Sequence, residues 1–580
     1  MSYKASFWRW SLSSLLLLLL LLTACGGESN QAQPTPTQNP ALERVPYDLG
    51  LPDEAKKAPS VGDVPGDTQL KLNITFKTDD KVIQDITGKD GKIKDGDQID
   101  ISKKANELGI TDQEYEQIKQ FFGVQDAKLK LGKLHTYLTV EAKAASIASL
   151  LQTKLVYKEL NGRKFYMPEK DPMLPKFVFE RIVSVTGLET YSQAPQKSLS
   201  LTPLTARQPQ LDCKAKDDWV TPQEVAKAYG FDHLYDKGWT GKGMTILLPE
   251  FETYDKEAVE RYGQCVGYKG KIDVVNVGLP PIEVGGEATL DIEMIQGLAP
   301  EANIVVYQAI NTPFSMEWVL NQILDDYADA KKPAVISLSW GNAEHDKATS
   351  SVRAVAESIK LLTQARYMTV FVASGDCGAY GGGVYKELAV DFPSSVPWSV
   401  GVGGTKLSTG LLGRMNEAVW SDGSNTSECK NTWGSGGGVS TLFKRPEWQK
   451  GDGVQNEYSN GNRQVPDVSA VAIDLPIIFQ GAWYSVGGTS AATPIWATGF
   501  SLLNQGLIAE TGYYYYGPDT FYKASENRGL LTNPFFDVKE GDNLYYKAGA
   551  GWDYPTGLGT PNYLDLYLIL KGTIQEESQS

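Results

Sequence analysis

At 580 residues the chain is too long for one ordinary domain, and its 41% hydrophobic content can bury a large core. Its 70 acidic against 55 basic residues, a formal charge of −15, argue against a nucleic-acid partner, because phosphate binding needs clustered Lys and Arg. Only three histidines occur, His135, His233 and His345, so a carboxylate base becomes a serious alternative for any hydrolytic chemistry.

The chain opens with a targeting signal. Lys4 and Arg9 form a basic start, and residues 15–22 are an apolar run too short to span a bilayer as a helix. Leu22-Thr23-Ala24-Cys25-Gly26 then resembles a bacterial lipobox. Residues 1–24 are therefore read as a lipoprotein signal peptide and Cys25 as the lipidated residue; an ordinary signal peptide with an incidental cysteine is the competing reading. Residues 25–64, rich in Gly, Pro, Gln and Thr, read as a flexible tether. A small α+β unit is expected over 65–195. Residues 70–76 alternate apolar and polar side chains as a strand does, Thr111-Asp112-Gln113-Glu114 is a capping box for a helix to about Phe122, 135–140 is a second strand and 142–151 a second helix. His135 has no neighbouring nucleophile or ligand set and is read as structural. Residues 196–218 lack periodicity and read as an exposed linker, where proteolysis concentrates.

The rest, 219–575, reads as one α/β domain. Continuous apolar runs at 244–248, 303–307, 334–339 and 369–373 point to buried parallel strands, with helices between them around 287–298 and 349–364. Without Cys25, four cysteines remain, and in an exported protein they imply two disulfides with three connectivities open; Cys213 with Cys265 and Cys377 with Cys429 is the expectation adopted. None has zinc-site spacing.

Chemistry concentrates at Gly487-Gly488-Thr489-Ser490-Ala491-Ala492-Thr493-Pro494. The glycines permit close approach of a substrate backbone, and Ala491 onward predicts an apolar helix with Pro494 in its first turn. Ser490 alone fits a plain N-cap. The run from Ser485 to Ala497, however, resembles the nucleophile motif of the sedolisin (serine-carboxyl peptidase) family in its kumamolisin-like form. That family couples serine to glutamate. The resemblance implies a subtilisin-like parallel sheet flanked by helices, an activation prodomain before it, and a base on a helix as Glu-x-x-x-Asp. Glu287-Ala288-Thr289-Leu290-Asp291 supplies that pattern, with both carboxylates on one helical face. Two carboxylates this close resist joint ionisation, so one gains proton affinity. Glu287 is expected to take the Ser490 proton, Asp291 to orient it and share the proton, and Glu293 to point elsewhere.

Asp376, in Ala373-Ser374-Gly375-Asp376-Cys377-Gly378, stands at the family's oxyanion position and can donate only while protonated, which implies acid pH; the Ser490 amide is the expected second donor. Glu250 and Trp340 match residues that extend the carboxylate network, with ordinary packing as the competing reading. Family members often continue that glutamate with Leu-Gly-Gly; here Phe251-Glu252-Thr253 follows. Asp537-Val538 and Gly549-Ala550-Gly551-Trp552-Asp553 resemble the family's site for one calcium ion, with carboxylates from Asp537 and Asp553 and carbonyls from Val538, Gly549 and Gly551. The resemblance spans about 60–570. It implies an exported, autoprocessing endopeptidase, monomeric, acting on proteins and peptides, with its own prodomain as inhibitor or chaperone. On this reading the chain is held at the membrane by a lipid until cleavage in 196–218 separates the anchor from the catalytic domain, which is then released unless the prodomain stays bound. A subtilisin-type Ser-His-Asp peptidase is the nearest rival, yet neither His233 nor His345 stands in a Gly-Thr-His-like setting. A non-catalytic peptide-binding lipoprotein is the rival of another class.

Overall fold

The computed structural model describes residues 43–579 apart from 125, 198–199, 204–212, 214–218, 330–333, 382–386, 412, 423–432 and 530. The signal, the lipobox with Cys25 and the Cys429 half of the second expected disulfide lie outside the described residues.

The larger unit is built on an eight-stranded sheet. Its order is Ile272–Asn276, Asn303–Gln308, Thr245–Glu250, Val335–Leu338, Thr369–Ala373, Val400–Gly410, Gly413–Val419, with Val468–Val471 pairing alongside Val400–Gly410. Every pairing is parallel except that of Val400–Gly410 with Gly413–Val419. The central strands are buried along their length, as their unbroken apolar sequences require. Parallel strands end at one edge, and Glu250, Ser339-Trp340 and Asp376 all follow strand C-termini there, where open α/β sheets place their chemistry.

Two helices cross this edge. Helix Thr489–Thr511 (the serine helix) is apolar on all sides and packs in the core, with Phe371 set against Trp496 and Phe500. It starts two residues before Ala491 and runs past 503, so Pro494 lies beyond its first turn, contrary to expectation. The missing Pro494 N–H leaves the Ser490 carbonyl without its helical donor; the Ser339 hydroxyl reaches it at 3.4 Å. Helix Gly286–Leu298 (the carboxylate helix) is buried on nearly every face, its carboxylates included. Cys213 and Cys265 form the expected disulfide, with Cα atoms 5.1 Å apart.

The N-terminal unit is α+β. Its antiparallel sheet runs Ile182–Thr186, Gln69–Phe76, Tyr137–Lys143, Lys128–Leu131. Leu70, Leu72, Ile74 and Phe76 enter its own core. The alternate residues Asn73 and Thr75 are buried too, against helix Ser315–Asp326 of the larger unit, where Glu317 accepts hydrogen bonds from Asn73, from Thr75 at 3.2 Å and from Thr186 at 2.6 Å. Helix Thr349–Lys360 lies beside it, and Ser184 donates to the Ser350 carbonyl at 2.6 Å. A second attachment stands apart from this sheet: Lys92–Lys94 pairs antiparallel with Tyr513–Tyr515 of the larger unit. Tyr367 donates to the Ile86 carbonyl at 2.7 Å and Arg366 to that of Ile99 at 3.0 Å in the same region.

Two expected boundaries shift. The tether does not extend to 64: Tyr47, Leu49, Leu51, Ala55 and Ala58 are buried in the N-terminal core, and Arg44–Pro46 pairs with Met173–Pro175. Nor is the start of the 196–218 linker unstructured. Gln196–Lys197 pairs antiparallel with Trp340-Gly341, and Ser200–Pro203 with residues 484–487, just before the serine helix.

Candidate active site

Ser490, Glu287 and Asp291 are each 0% exposed. Gly488 gives the serine helix its entry: its φ of 148° with ψ of 154° is a conformation essentially restricted to glycine. In the resting geometry the Ser490 hydroxyl donates to the Ser339 carbonyl at 3.4 Å, and neither Glu287 oxygen has a hydrogen-bond partner among the described residues. Ser490 nevertheless stands close enough to lower the proton affinity of Glu287, against burial, which holds that carboxyl well above the usual range together with the charges of Glu250, Glu252 and Asp376. A small rotation of the hydroxyl converts one arrangement into the other, and such bonds commonly tighten only when substrate is bound.

Asp291 lies one turn further along the same face. The Ser339 hydroxyl donates to both of its oxygens, at 3.0 and 2.9 Å. Burial, then the Glu287 charge, pushes Asp291 far above its ordinary value. Glu250 is raised in the same way, by burial and then Asp291, and the Trp340 indole donates to it at 2.8 Å. Two like charges cannot share so dry a space, so at least one of Glu250 and Asp291 is held protonated. The expected accessory pair Glu250 and Trp340 is therefore in contact and continuous with Asp291. Glu293 is buried elsewhere, accepting the Ile478 amide at 2.7 Å.

Asp376 is fixed by the residue before the serine. Thr489 donates to its Oδ1 from the amide at 2.7 Å and from the hydroxyl at 2.8 Å, while the Gly375 amide donates to that hydroxyl at 3.1 Å. Thr489 is thus committed as donor to Oδ1. Oδ2 is buried without a partner among the described residues. Burial pushes Asp376 up to about 7, so its proton belongs on Oδ2, the free edge. Ser339 and Thr489 were not singled out in the sequence; each sits one residue from a recognisable position, at a strand end and before the nucleophile. The histidines are placed elsewhere: His135 against the Ile110 carbonyl in the N-terminal unit, His233 in helix Phe231–Tyr235 and His345 in the turn Glu344–Asp346.

Residues 282–526 match the model of the subtilase family. Kumamolisin of Bacillus sp. (strain MN-32) is 34% identical over 366 residues, 59% of this chain and 62% of kumamolisin, so the match leaves out more than a third of that relative. Sedolisin of Pseudomonas sp. (strain 101) is 27% identical over 454 residues, 73% of each chain. The solved structure of Pseudomonas sedolisin, a serine-carboxyl proteinase complexed with two molecules of pseudo-iodotyrostatin, superposes with a TM-score of 0.52 at 26% identity, covering 61% of this chain and 98% of that one. The chain is similar to serine-carboxyl peptidases of the sedolisin type. Sedolisins are serine-type peptidases, and the carboxyl groups gathered here around a buried serine match that class. The subtilisin-like sheet carries the candidate site at its C-terminal edge, as the resemblance implied.

The expected calcium residues are also brought together. Asp553 accepts the Gly549 amide at 2.8 Å and the Thr556 amide at 2.8 Å; Asp537 accepts the Gly551 amide at 3.2 Å and pairs with Lys539 at 3.2 Å. Burial, with the Asp537 charge adding to it, pushes Asp553 up to about 7, the mark of a carboxylate that lacks a full counter-charge. No group of three or more His, Cys, Asp or Glu suited to a metal occurs among the described residues, so main-chain carbonyls have to supply the rest of any cation site. No helix among them is long and apolar enough to cross a membrane.

Proposed function

We propose that this chain is an exported, autoprocessing serine-carboxyl endopeptidase that hydrolyses protein and peptide substrates at acid pH. The observation that carries the reading is the backbone pairing of its own linker. Gln196–Lys197 adds a strand at Trp340-Gly341, next to the Asp291–Ser339 contact, and Ser200–Pro203 adds one at residues 484–487, next to Ser490. Strand addition of this kind is how extended peptides are held for recognition. Asn342 and Asn311 donate to the Ala194 and Pro195 carbonyls at 3.1 and 3.0 Å, lining the approach. The chain thus presents itself as a substrate, with the cut between Lys197 and Ser200.

Ser490 Oγ attacks the scissile carbonyl carbon as its proton passes to the ionised form of Glu287, whose raised proton affinity makes it the stronger base and sets the acid limb of the profile, as Asp376 sets the alkaline limb. Asp291, sharing a proton with Glu250, holds Glu287 in place and accommodates the charge change. The carbonyl oxygen, now an oxyanion, takes hydrogen bonds from the Asp376 Oδ2 proton and from the Ser490 amide, one of those that a helix's first turn leaves unpaired. Collapse breaks the C–N bond, with Glu287 returning the proton to the leaving amine. Water then attacks the acyl-enzyme by the same route, and Ser490 is restored. Asp376 is a donor only below about pH 7, which accounts for acid operation.

The N-terminal unit, 43–195, serves as prodomain. One calcium ion is held by Asp537, Asp553 and the carbonyls of Val538, Gly549 and Gly551, and its role is to neutralise the two carboxylates and secure the C-terminal segment. Cys25 carries the lipid. The test is mass spectrometry of the purified full chain before and after acidification. Wild type gains a new N-terminus at Ser198, Leu199 or Ser200, and Ser490→Ala and Glu287→Gln stay intact. Self-cleavage of Ser490→Ala at that place, or loss of cleavage in His345→Ala with retention in Glu287→Gln, refutes the assignment.

A further inference from the structure

A fifth buried carboxylate touches the site from outside the expected set. Glu252 is 2% exposed and lies two residues past the end of strand Thr245–Glu250. Its Oε1 accepts the Glu287 amide at 2.8 Å and the Ala288 amide at 3.3 Å. Both are first-turn amides that a helix cannot satisfy internally. The N-cap residue itself, Gly285, makes no side-chain cap. Glu252 packs so closely on it that a Cβ at Gly285 would meet the carboxyl at 1.7–1.9 Å. A side chain from another segment therefore caps the helix that carries Glu287 and Asp291. First-turn helix amides are natural partners for a carboxyl group, and this cap sets one at the root of that helix.

Resting on the assignment of Ser490 and Glu287 above, we propose that Glu252 is a positioning residue: it fixes the seat of the carboxylate helix, and its charge sets how readily Glu287 accepts the Ser490 proton. The groups facing Glu287 are Ser490 on the serine helix, Glu250 at its strand end, Asp376 after strand Thr369–Ala373, Asp291 on the same helix, and Glu252. Of these, Glu250, Glu252 and Asp376 add to the upward push of burial and only Ser490 opposes it. Asp291 feels Glu252 in the same sense.

Three variants of the full chain separate position from charge. Glu252→Gln keeps an oxygen for both amides and removes the charge. Glu252→Ala removes both, and Gly285→Ala drives the carboxyl off the helix end. After acid processing, kcat and KM are measured from pH 2 to 8 on a quenched peptide of the linker sequence 194–203, with Tm recorded alongside. Expected for Glu252→Gln is an acid limb of kcat/KM moved about one unit to lower pH, a size at the low end of what one like charge in a shared site produces, with Tm unchanged. Expected for the other two is a lower Tm and a lower kcat at nearly constant KM. A Glu252→Gln profile that superimposes on wild type overturns the charge role, and a Glu252→Ala that matches wild type in Tm and kcat overturns the seating role. Ser490→Ala and Glu287→Gln, given to the same assay after processing by trace wild-type enzyme, keep the two levels apart: activity in them defeats the site assignment itself, whereas their inactivity beside an unshifted Glu252→Gln defeats only the role of Glu252.

Discussion

Replacing Asp376 by Asn tests the link between the oxyanion donor and acid operation. Thr489 holds Oδ1 with two donors, and Oδ2 faces away from them. An asparagine therefore keeps its oxygen on Thr489 and places its NH2 where the acid proton was, making it a near-isosteric copy of the protonated aspartic acid. The sign follows from the raised value: Asp376 is a donor below about 7 and ceases to be one above it. At pH 4 it is about 99.9% protonated and at pH 8 about 10%, since each pH unit is tenfold. An oxyanion donor is worth ~10²–10³ in kcat. Asp376→Ala is thus expected to lose that factor at pH 4, where wild type and Asp376→Asn remain comparable. From its acid plateau to pH 8 wild type falls about tenfold while Asp376→Asn does not share that limb. The assay is kcat on the linker peptide from pH 3 to 9, each variant first processed by trace wild-type enzyme. If Asp376→Asn falls off at the wild-type pH, or is as slow as Asp376→Ala at pH 4, Asp376 is not the titrating donor.

Glu317 loses its contribution over the same pH range. Burial under the N-terminal sheet pushes it up to about 7, so docking that sheet favours the protonated form; the contribution is present below the ordinary Glu range and lost as pH rises through about 7. Size-exclusion chromatography of the cut complex is expected to show weaker retention of the prodomain at pH 8 than at pH 5, and Glu317→Gln is expected to flatten that difference; equal pH dependence in both proteins counts against it. Chelation with EGTA, or Asp553→Ala, is expected to lower the Tm of the processed enzyme, with calcium but not magnesium restoring it in the chelated wild type; a Tm indifferent to both leaves no role for a bound cation.

The strongly periodic or unbroken apolar segments announced themselves. The four expected sheet strands, the capping-box helix at Thr111 and the carboxylate helix lie where their patterns place them, and the serine helix is there with wider bounds, because burial on one face or all faces leaves a direct trace in sequence. What escaped lacks such a trace. Residues 43–64 look like tether because their apolar side chains, Tyr47, Leu49, Leu51 and Ala55, are too irregularly spaced to show a period. Gln196–Lys197 and Ser200–Pro203 become strands only because another segment lends them an edge. Asn73 and Thr75 read as the solvent face of a strand, yet they are the donors that bury Glu317. The candidate site was legible through the Ser490 and Glu-x-x-x-Asp motifs; Glu252 was visible only as a departure from the pattern, and Thr489 and Ser339 enter it through contacts that no spacing rule encodes.

The strand Lys92–Lys94 on Tyr513–Tyr515 bears on what happens after the linker is cut. With the N-terminal sheet seated on Glu317, this strand paired further along, and Ile83, Ile86, Ile101, Leu108 and Leu134 buried against the larger unit as well, the severed halves are joined through several contacts at once. Any one contact can open and find its partner again at high effective concentration, because the others still hold. Cleavage and departure then become separate events, with departure requiring all the contacts to be open at once. For a chain whose lipid is proposed to lie before the prodomain, the cut enzyme stays at the surface for as long as that coincidence is rare. The residence time of the cut pair, rather than the rate of cleavage, then governs how far from the cell the activity travels.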